Sequence, residues 1–439
     1  MTESLLSSRG QKELTDGADE HQVWEVSANQ WDPETNPNGY VSLGIAENSL
    51  SHDELAEFLR NKSLIDPSAK AFTYQDGPAG SKPARNAIAS FFNTYFHPIQ
   101  QVRADNIIIT NGASSAIEHC AWALCNSGEG ILLGRPYYRA FLPDIQTRFG
   151  VKVVPVAFGE VDPCGLDCVA RYEEALLRSN ADGVKVRALL LCNPHNPLGR
   201  CYSKATIVQL MLLCQKYQMH LISDEIYALS VWENTVDKLE APPTPFESAL
   251  SIDTREIIDA ALVHVLWGFS KDFGANGIRI GVMISQHNEP FLTACQTACI
   301  YSSPSSLAEN AVVTILSDPN FLASYIRTNS ERMSAAYTYA VQLLRRYDID
   351  YIPGANAAFF LWINLGKRYL QVLGDSARGK SMDAFTNEIF QLLMKKKVYL
   401  VLGDAAGAEQ PGWFRMVFTQ PPRSVEEGLK RISEALNGE

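Results

Sequence analysis

No stretch of the chain is apolar for long enough to span a bilayer, so no membrane helix is expected. The opening segment, Met1 to Glu20, is polar and holds no apolar signal-peptide core. Basic clusters are also missing. The formal net charge is −11 over 439 residues, and an acidic balance argues against a nucleic-acid surface. The one short basic run, Lys395-Lys396-Lys397, reads as the polar end of a helix. Nine cysteines are present, but none form a Cys-x-x-Cys pair; Cys164/Cys168 and Cys295/Cys299 come closest. Reduced, partly buried thiols in a cytoplasmic protein are therefore expected. The eight histidines show no metal-ligand spacing, and His195 has no histidine partner nearby in sequence. No metal site is expected, and no internal repeat is visible.

What is present is enough apolar material for a large core. The hydrophobic fraction is 46%, and the length suits two domains. From about Ser81 to Asn288, continuous apolar runs alternate with amphipathic stretches. The runs are Asn106–Asn111, Gly130–Gly134, Lys152–Phe158, Arg187–Cys192, His220–Ile226, Val263–Phe269 and Arg279–Ser285. The predicted helices are Ser81–Phe96, Ala113–Cys125, Asp167–Arg178 and Lys204–Tyr217. Strands of this kind, interleaved with helices, predict an α/β fold with a mostly parallel sheet covered on both faces. Ligands bind such sheets where loops leave the carboxyl ends of the strands. After about Tyr325 the pattern changes. A long helix (Arg327–Tyr347) precedes strands at Ile349–Ile352, Phe359–Leu365, Val398–Leu402 and Trp413–Thr419, with helices at Met382–Lys396 and Ser424–Leu436. Pro242–Pro245 and Leu370–Lys380 read as surface loops. The division expected is a large domain at 75–325, with 1–74 and 326–439 forming an amino-terminal arm and a smaller α+β domain.

The chemistry centres on Lys271. An apolar strand delivers Ser270-Lys271, and Arg279 follows eight residues later. A lysine at the mouth of a buried strand is poorly solvated, which favours its neutral amine. A neutral lysine forms a Schiff base with an aldehyde cofactor. Ser270 and Arg279 supply a hydroxyl and a forked cation suited to a phosphate. Pyridoxal 5′-phosphate (PLP) is both aldehyde and phosphate. A lysine that merely caps a strand is the plainer alternative, and it weakens as the rest of such a site is found elsewhere. Asn111-Gly112-Ala113-Ser114 joins a strand to a helix, whose amino terminus suits a phosphate; Ser114 could equally be a simple cap. Tyr138, in Arg135-Pro136-Tyr137-Tyr138, could stack on a flat ring or only pack. In Asn193-Pro194-His195-Asn196-Pro197-Leu198-Gly199, two Asn-Pro units stiffen a strand end, and Asn196 can donate to a phenolate oxygen. In Ser223-Asp224-Glu225-Ile226-Tyr227, Asp224 can hold a ring nitrogen protonated, and Tyr227 can reach the phenolate oxygen; a helix cap is the alternative. Arg415, in Gly412-Trp413-Phe414-Arg415, sits in an otherwise apolar strand. A buried guanidinium needs an anion, either a substrate carboxylate gripped bidentately or an internal salt bridge.

In this order the motifs resemble the class I/II aminotransferases of PLP fold type I. Gly44-Ile45-Ala46-Glu47-Asn48 is similar to the 1-aminocyclopropane-1-carboxylate (ACC) synthase branch, which carries Gly-Leu-Ala-Glu-Asn. His264-Val265-Leu266-Trp267-Gly268 and Cys192-Asn193-Pro194-His195-Asn196 resemble filamentous-fungal relatives. Those relatives include secondary-metabolism carbon–sulfur lyases of the epidithiodiketopiperazine type. The resemblance implies an aspartate aminotransferase-like fold and a homodimer with sites at the subunit interface. It implies Lys271 as the Schiff-base lysine, Asp224 as the pyridinium partner, and Asn196 and Tyr227 as phenolate contacts. Ala113 (main chain), Ser114, Ser270 and Arg279 would hold the phosphate, with Tyr74 reaching it from the partner subunit. Tyr138 would stack, Arg415 would take the substrate carboxylate, and Glu47 would lie near the substrate. Two segments depart from the synthases. Tyr74-Gln75-Asp76-Gly77-Pro78-Ala79-Gly80 replaces Tyr-His-Gly-Leu-Pro, and Ala275-Asn276-Gly277-Ile278 replaces Leu-Pro-Gly-Phe. The function expected is Cα deprotonation of an amino acid followed by carbon–sulfur cleavage. S-adenosylmethionine or a cysteine S-conjugate would be the substrate. Amino transfer to a 2-oxo acid is the alternative, and a non-catalytic PLP sensor is a distant third.

Overall fold

The computed structural model describes residues 5–16, 18–65, 70–239, 241–374 and 382–438. Seven strands form the central sheet. In spatial order they are Ile107–Thr110, Gly281–Ile284, Val263–Gly268, His220–Asp224, Val186–Cys192, Gly130–Gly134 and Lys152–Val156. All run parallel except Gly281–Ile284, which is antiparallel to both neighbours. The apolar continuity of these strands follows from burial on both faces. Along one strand, Val263, Val265 and Trp267 join the core that holds Phe91 and Phe92, while Leu266 joins the core that holds Ile222 and Met283. A period-two alternation of polarity is absent because neither face meets water.

A second, antiparallel sheet holds Val401–Leu402, Trp413–Val417, Phe360–Asn364 and Asp350–Tyr351 in that order. The helix Pro319–Arg346 crosses from one part of the chain to the other. It begins well before the Arg327 expected, because Asp318 caps it by accepting from Phe321 N at 2.9 Å and Pro319 occupies its first turn. The run Val398–Leu402 is not one strand. Val398–Tyr399 pairs in parallel with Val41–Ser42, whereas Val401–Leu402 pairs with Trp413–Val417. The amino-terminal segment is thereby stitched to the carboxyl-terminal part. Part of the expected loop Leu370–Lys380 is the end of an amphipathic helix, Leu365–Leu373, which packs Leu365 and Tyr369 into the core; residues 375–380 lie outside the described segments. Among the described residues, no helix is long and apolar enough to cross a membrane.

Two corrections bear on the site. The strand carrying Lys271 ends at Gly268, and Phe269–Asp272 forms one helical turn. Arg279 precedes its strand and adopts a left-handed conformation, φ 57°. Arg279 is thereby brought against the start of the helix Ala113–Leu124, while Lys271 reaches Ala46 O. That helix begins at Gly112, φ 87°, whose added Cβ would lie 2.0 Å from Arg279 Nη2. Behind it, a Cβ on Gly281 would lie 2.3 Å from the Gly112 carbonyl carbon. Glycine is needed at both places for close approach, and at Gly112 for its left-handed dihedral as well. Gly281→Ala is expected to lower the thermal midpoint through an overpacking cost of about 1–3 kcal/mol. Thermal denaturation of the purified variant against the parent chain checks this.

Candidate active site

Loops from four strand ends and one helix terminus converge on a cavity of about 130 Å³. Its walls include Ala113 and Ser114 at the helix start and Tyr138 from the next loop. Asn196, Asp224 and Tyr227 come from two neighbouring strand ends, and Ser270, Lys271 and Arg279 from the turn after Val263–Gly268. Nine residues singled out from sequence therefore line one cavity. Arg415 stands behind it, donating from Nη1 to Asn196 Oδ1 at 3.1 Å and from Nη2 to Gly44 O at 2.7 Å.

Lys271 is half-buried, and its Nζ donates to Ala46 O at 2.7 Å. Burial lowers its pKa from 10.5 to about 7; Arg415 and Arg279 push the same way, and Glu47 and Asp224 oppose them. Asp224 is 4% exposed, and burial raises its carboxyl from 3.8 to about 7. The Ile226 N–H donated to its Oδ1 at 3.3 Å and the Lys271 charge oppose the rise, while Asp144 adds to it. A carboxylate held so far from water is stabilised by any cation placed beside it. Burial holds the Tyr227 hydroxyl well above its ordinary value, so it stays protonated as a donor. Tyr227 Oη also accepts from Asn196 Nδ2 at 3.3 Å.

Arg415 is 3% exposed, and burial depresses its pKa. It forms no ion pair with a carboxylate among the described residues. Its Nε is buried with no hydrogen-bond partner, and its guanidinium lies 4.5 Å from the centre of the Phe360 ring. The internal salt bridge considered from sequence is therefore not the arrangement found. A buried cation with one donor unused suits an anion from outside.

Besides Arg415, two sequence-predicted residues do not line the cavity. Glu47 is half-buried and acts on Lys271 through its charge. Tyr74 is 98% exposed, beside the exposed Phe72 on a groove that also includes Ile300 and Pro304. The cavity also holds residues that the sequence reading did not select: Ile117, Phe141, Cys192, Ile226 and Asn276. Phe141 was detectable only as the position three after Tyr138, and it meets that ring edge-on at 5.3 Å. Asn276 stood in a segment already marked as unusual.

These walls match the parts of PLP: a helix start with Ser114, Ser270 and Arg279 for a phosphate, a buried carboxylate for a ring nitrogen, and a neutral amine for an aldehyde. A match to the model of the family "Aminotransferase class I and II" spans residues 40–432. The chain belongs to that family.

Within this PLP-dependent family the chain falls in the ACC synthase-like branch. It is 30% identical to 1-aminocyclopropane-1-carboxylate synthase-like protein 1 of Bos taurus, over 99% of this chain and 84% of that protein. It is 31% identical to 1-aminocyclopropane-1-carboxylate synthase 3 of Oryza sativa subsp. japonica, over 88% and 85%. It is also 31% identical to the "Probable aminotransferase sirI" of Leptosphaeria maculans, over 90% and 91%. The fold matches Thermus thermophilus aspartate aminotransferase with maleate at a TM-score of 0.72, with 19% identity over 98% of this chain and 100% of that one. PLP fold type I is thus the architecture, and PLP is the cofactor.

Asp224 supplies a prediction with a definite sign. Its folded-state pKa is raised, so its contribution to stability is fully present below about 4 and is lost as pH rises through about 7. In the cofactor-free chain at pH 8, Asp224→Asn is expected to raise stability by on the order of 4 kcal/mol, yet to weaken PLP retention. Paired melting curves with and without PLP, taken at low and high pH, check both halves.

Proposed function

We propose that this family member is a carbon–sulfur lyase that deprotonates an amino acid at Cα and releases a sulfur leaving group. The observation that carries the reading is Glu47. Its negative charge acts on Lys271, and the main-chain oxygens of the same segment contact Arg415 and Lys271. A carboxylate whose charge reaches the lysine favours a substrate that carries a positive sulfur, such as a sulfonium. The segment Gly44-Ile45-Ala46-Glu47-Asn48 is also similar to the Gly-Leu-Ala-Glu-Asn of the synthases.

In this reading Arg415 takes the substrate carboxylate and sets which Cα bond faces the base. Lys271, brought near its midpoint at pH 7 and so partly in its neutral form, accepts the Cα proton. Asp224 keeps a positive ring nitrogen beside it, and Tyr227 and Asn196 hold the phenolate edge. Ala113, Ser114, Ser270 and Arg279 hold the phosphate, and Tyr138 covers the ring face. Bound PLP supplies the electron sink that makes the Cα proton acidic. A second reading, amino transfer to a 2-oxo acid, is supported by the name of the Leptosphaeria relative. Cysteine S-conjugates of fungal secondary metabolism and S-adenosylmethionine are the two substrate classes we favour for the lyase.

We further propose a homodimer in which the exposed Tyr74 reaches the phosphate of the partner's site. Phe72 and Ile300, at 72% and 65% exposure, line the same groove and give it apolar surface that a second copy would cover.

The reaction branch is read from products. Thiol or methylthioadenosine with pyruvate or ACC supports the lyase, whereas a ketoacid formed one-for-one with glutamate or alanine replaces it with the transferase. Lys271→Ala is expected to abolish turnover and the visible absorption of bound PLP. Retained turnover would remove Lys271 from its role. Arg415→Ala should weaken amino-acid binding by about 2–5 kcal/mol, the scale of breaking a buried charge pair. For the shared site, Tyr74→Ala and Lys271→Ala chains are co-refolded. About a quarter of parental activity is expected from the one complete site in each mixed dimer. No recovery would place Tyr74 outside the partner's site.

A further inference from the structure

Asn276 lies in the cavity wall where the synthases carry the proline of Leu-Pro-Gly-Phe. Its Nδ2 donates to Ala46 O at 3.1 Å, the same oxygen that receives Lys271 Nζ at 2.7 Å. Its main-chain oxygen accepts from Arg279 Nη1 at 2.9 Å. One residue therefore touches both the acceptor of the lysine and the arginine of the phosphate corner. Its own Oδ1 is buried and has no hydrogen-bond partner. Leaving such an oxygen unsatisfied costs about 1–3 kcal/mol. Stability alone disfavours the side chain, so a role in the site is the better reason for it. A proline at this position would hold Arg279 through the same carbonyl but would leave Ala46 O to the lysine alone.

We propose that Asn276 is a positioning residue for Lys271: by sharing the Ala46 carbonyl, it fixes where the free amine rests and limits how well that oxygen stabilises the ammonium form. A carbonyl that accepts from two donors polarises less toward each. The amine held 2.7 Å from Ala46 O also keeps a fixed orientation, with its lone pair left for a proton. The other charges that face Lys271 are Arg415, Arg279, Glu47 and Asp224. Only Arg279 is bonded to Asn276, and through the main chain, which a side-chain change preserves. The consequence for catalysis rests on Lys271 being the base, as proposed above; the shared contact does not.

The test uses the full-length chain freed of PLP. Lys271 is reductively methylated with formaldehyde and cyanoborohydride across the neutral to alkaline range, and peptide mass spectrometry gives its titration midpoint. Asn276→Ala is expected to move that midpoint upward by about half a pH unit or more, with an equal or higher thermal midpoint because the unsatisfied oxygen is gone. Asn276→Gln, which keeps an amide donor, should return the value toward the parent. In the PLP-loaded enzyme, the acid limb of kcat should shift alkaline with the alanine variant while KM stays unchanged. An unmoved labelling midpoint in Asn276→Ala overturns the proposal, as does a shift that Asn276→Gln reproduces in full. If the labelling midpoint moves and the kcat limb does not, the shared contact stands and Lys271 loses its role as base.

Discussion

A lysine amine withheld from water is the constraint on which the rest of this structure depends. In solvent that amine would carry a proton up to about 10.5, and it could neither bond to an aldehyde nor take a proton at neutral pH. Here burial brings its pKa to about 7. The cost of that burial is spread over the fold. Gly268 ends the strand so that Phe269–Asp272 can turn inward. Asp272 then anchors the turn, accepting from Trp267 Nε1 at 2.8 Å, Ser230 Oγ at 2.7 Å and Leu229 N at 3.1 Å. One buried carboxylate thereby ties the lysine's turn to the loop that carries Tyr227.

The second charge in the site answers the first. Asp224 is raised to about 7 by the same lack of water, and the two groups moderate one another. A site of this kind is poised rather than satisfied. Its acid and base stand near their midpoints, and Arg415 has a donor unused and, among the described residues, no carboxylate partner. Each unmet requirement corresponds to a part of the cofactor or of an amino acid. Stability has been exchanged for binding capacity at these positions, as expected where function overrides packing.

Much of this was legible in the linear chain. The strands Gly130–Gly134 and Val186–Cys192 are nearly continuous apolar runs, and burial on both faces requires that. Helix Lys204–Tyr217 announces itself by Ser203, whose hydroxyl accepts from Thr206 N at 3.1 Å. The lysine turn, the Asn-Pro loop and the Asp-containing strand end were recognisable because their spacing is tied to the chemistry of one cofactor. Less legible was anything decided by a short pairing. Val41–Ser42 and Val398–Tyr399 contribute two residues each, too few for a periodic signal. The helix Leu365–Leu373 was read in part as loop because it spans only nine residues and one face meets solvent.

By itself, the sequence determined the family, the cofactor and most of the side chains that line the cavity, because each motif places a chemically unusual residue beside a strand end. The tertiary structure alone decided how those motifs meet. It put Ala46 O against Lys271 and Gly44 O against Arg415, contacts that join positions more than 200 residues apart. It also showed that Arg415 pairs with no carboxylate among the described residues and that Asn276 shares the lysine's acceptor. Such facts depend on distances of a few ångströms between remote segments, and a local pattern of residues carries no information at that range.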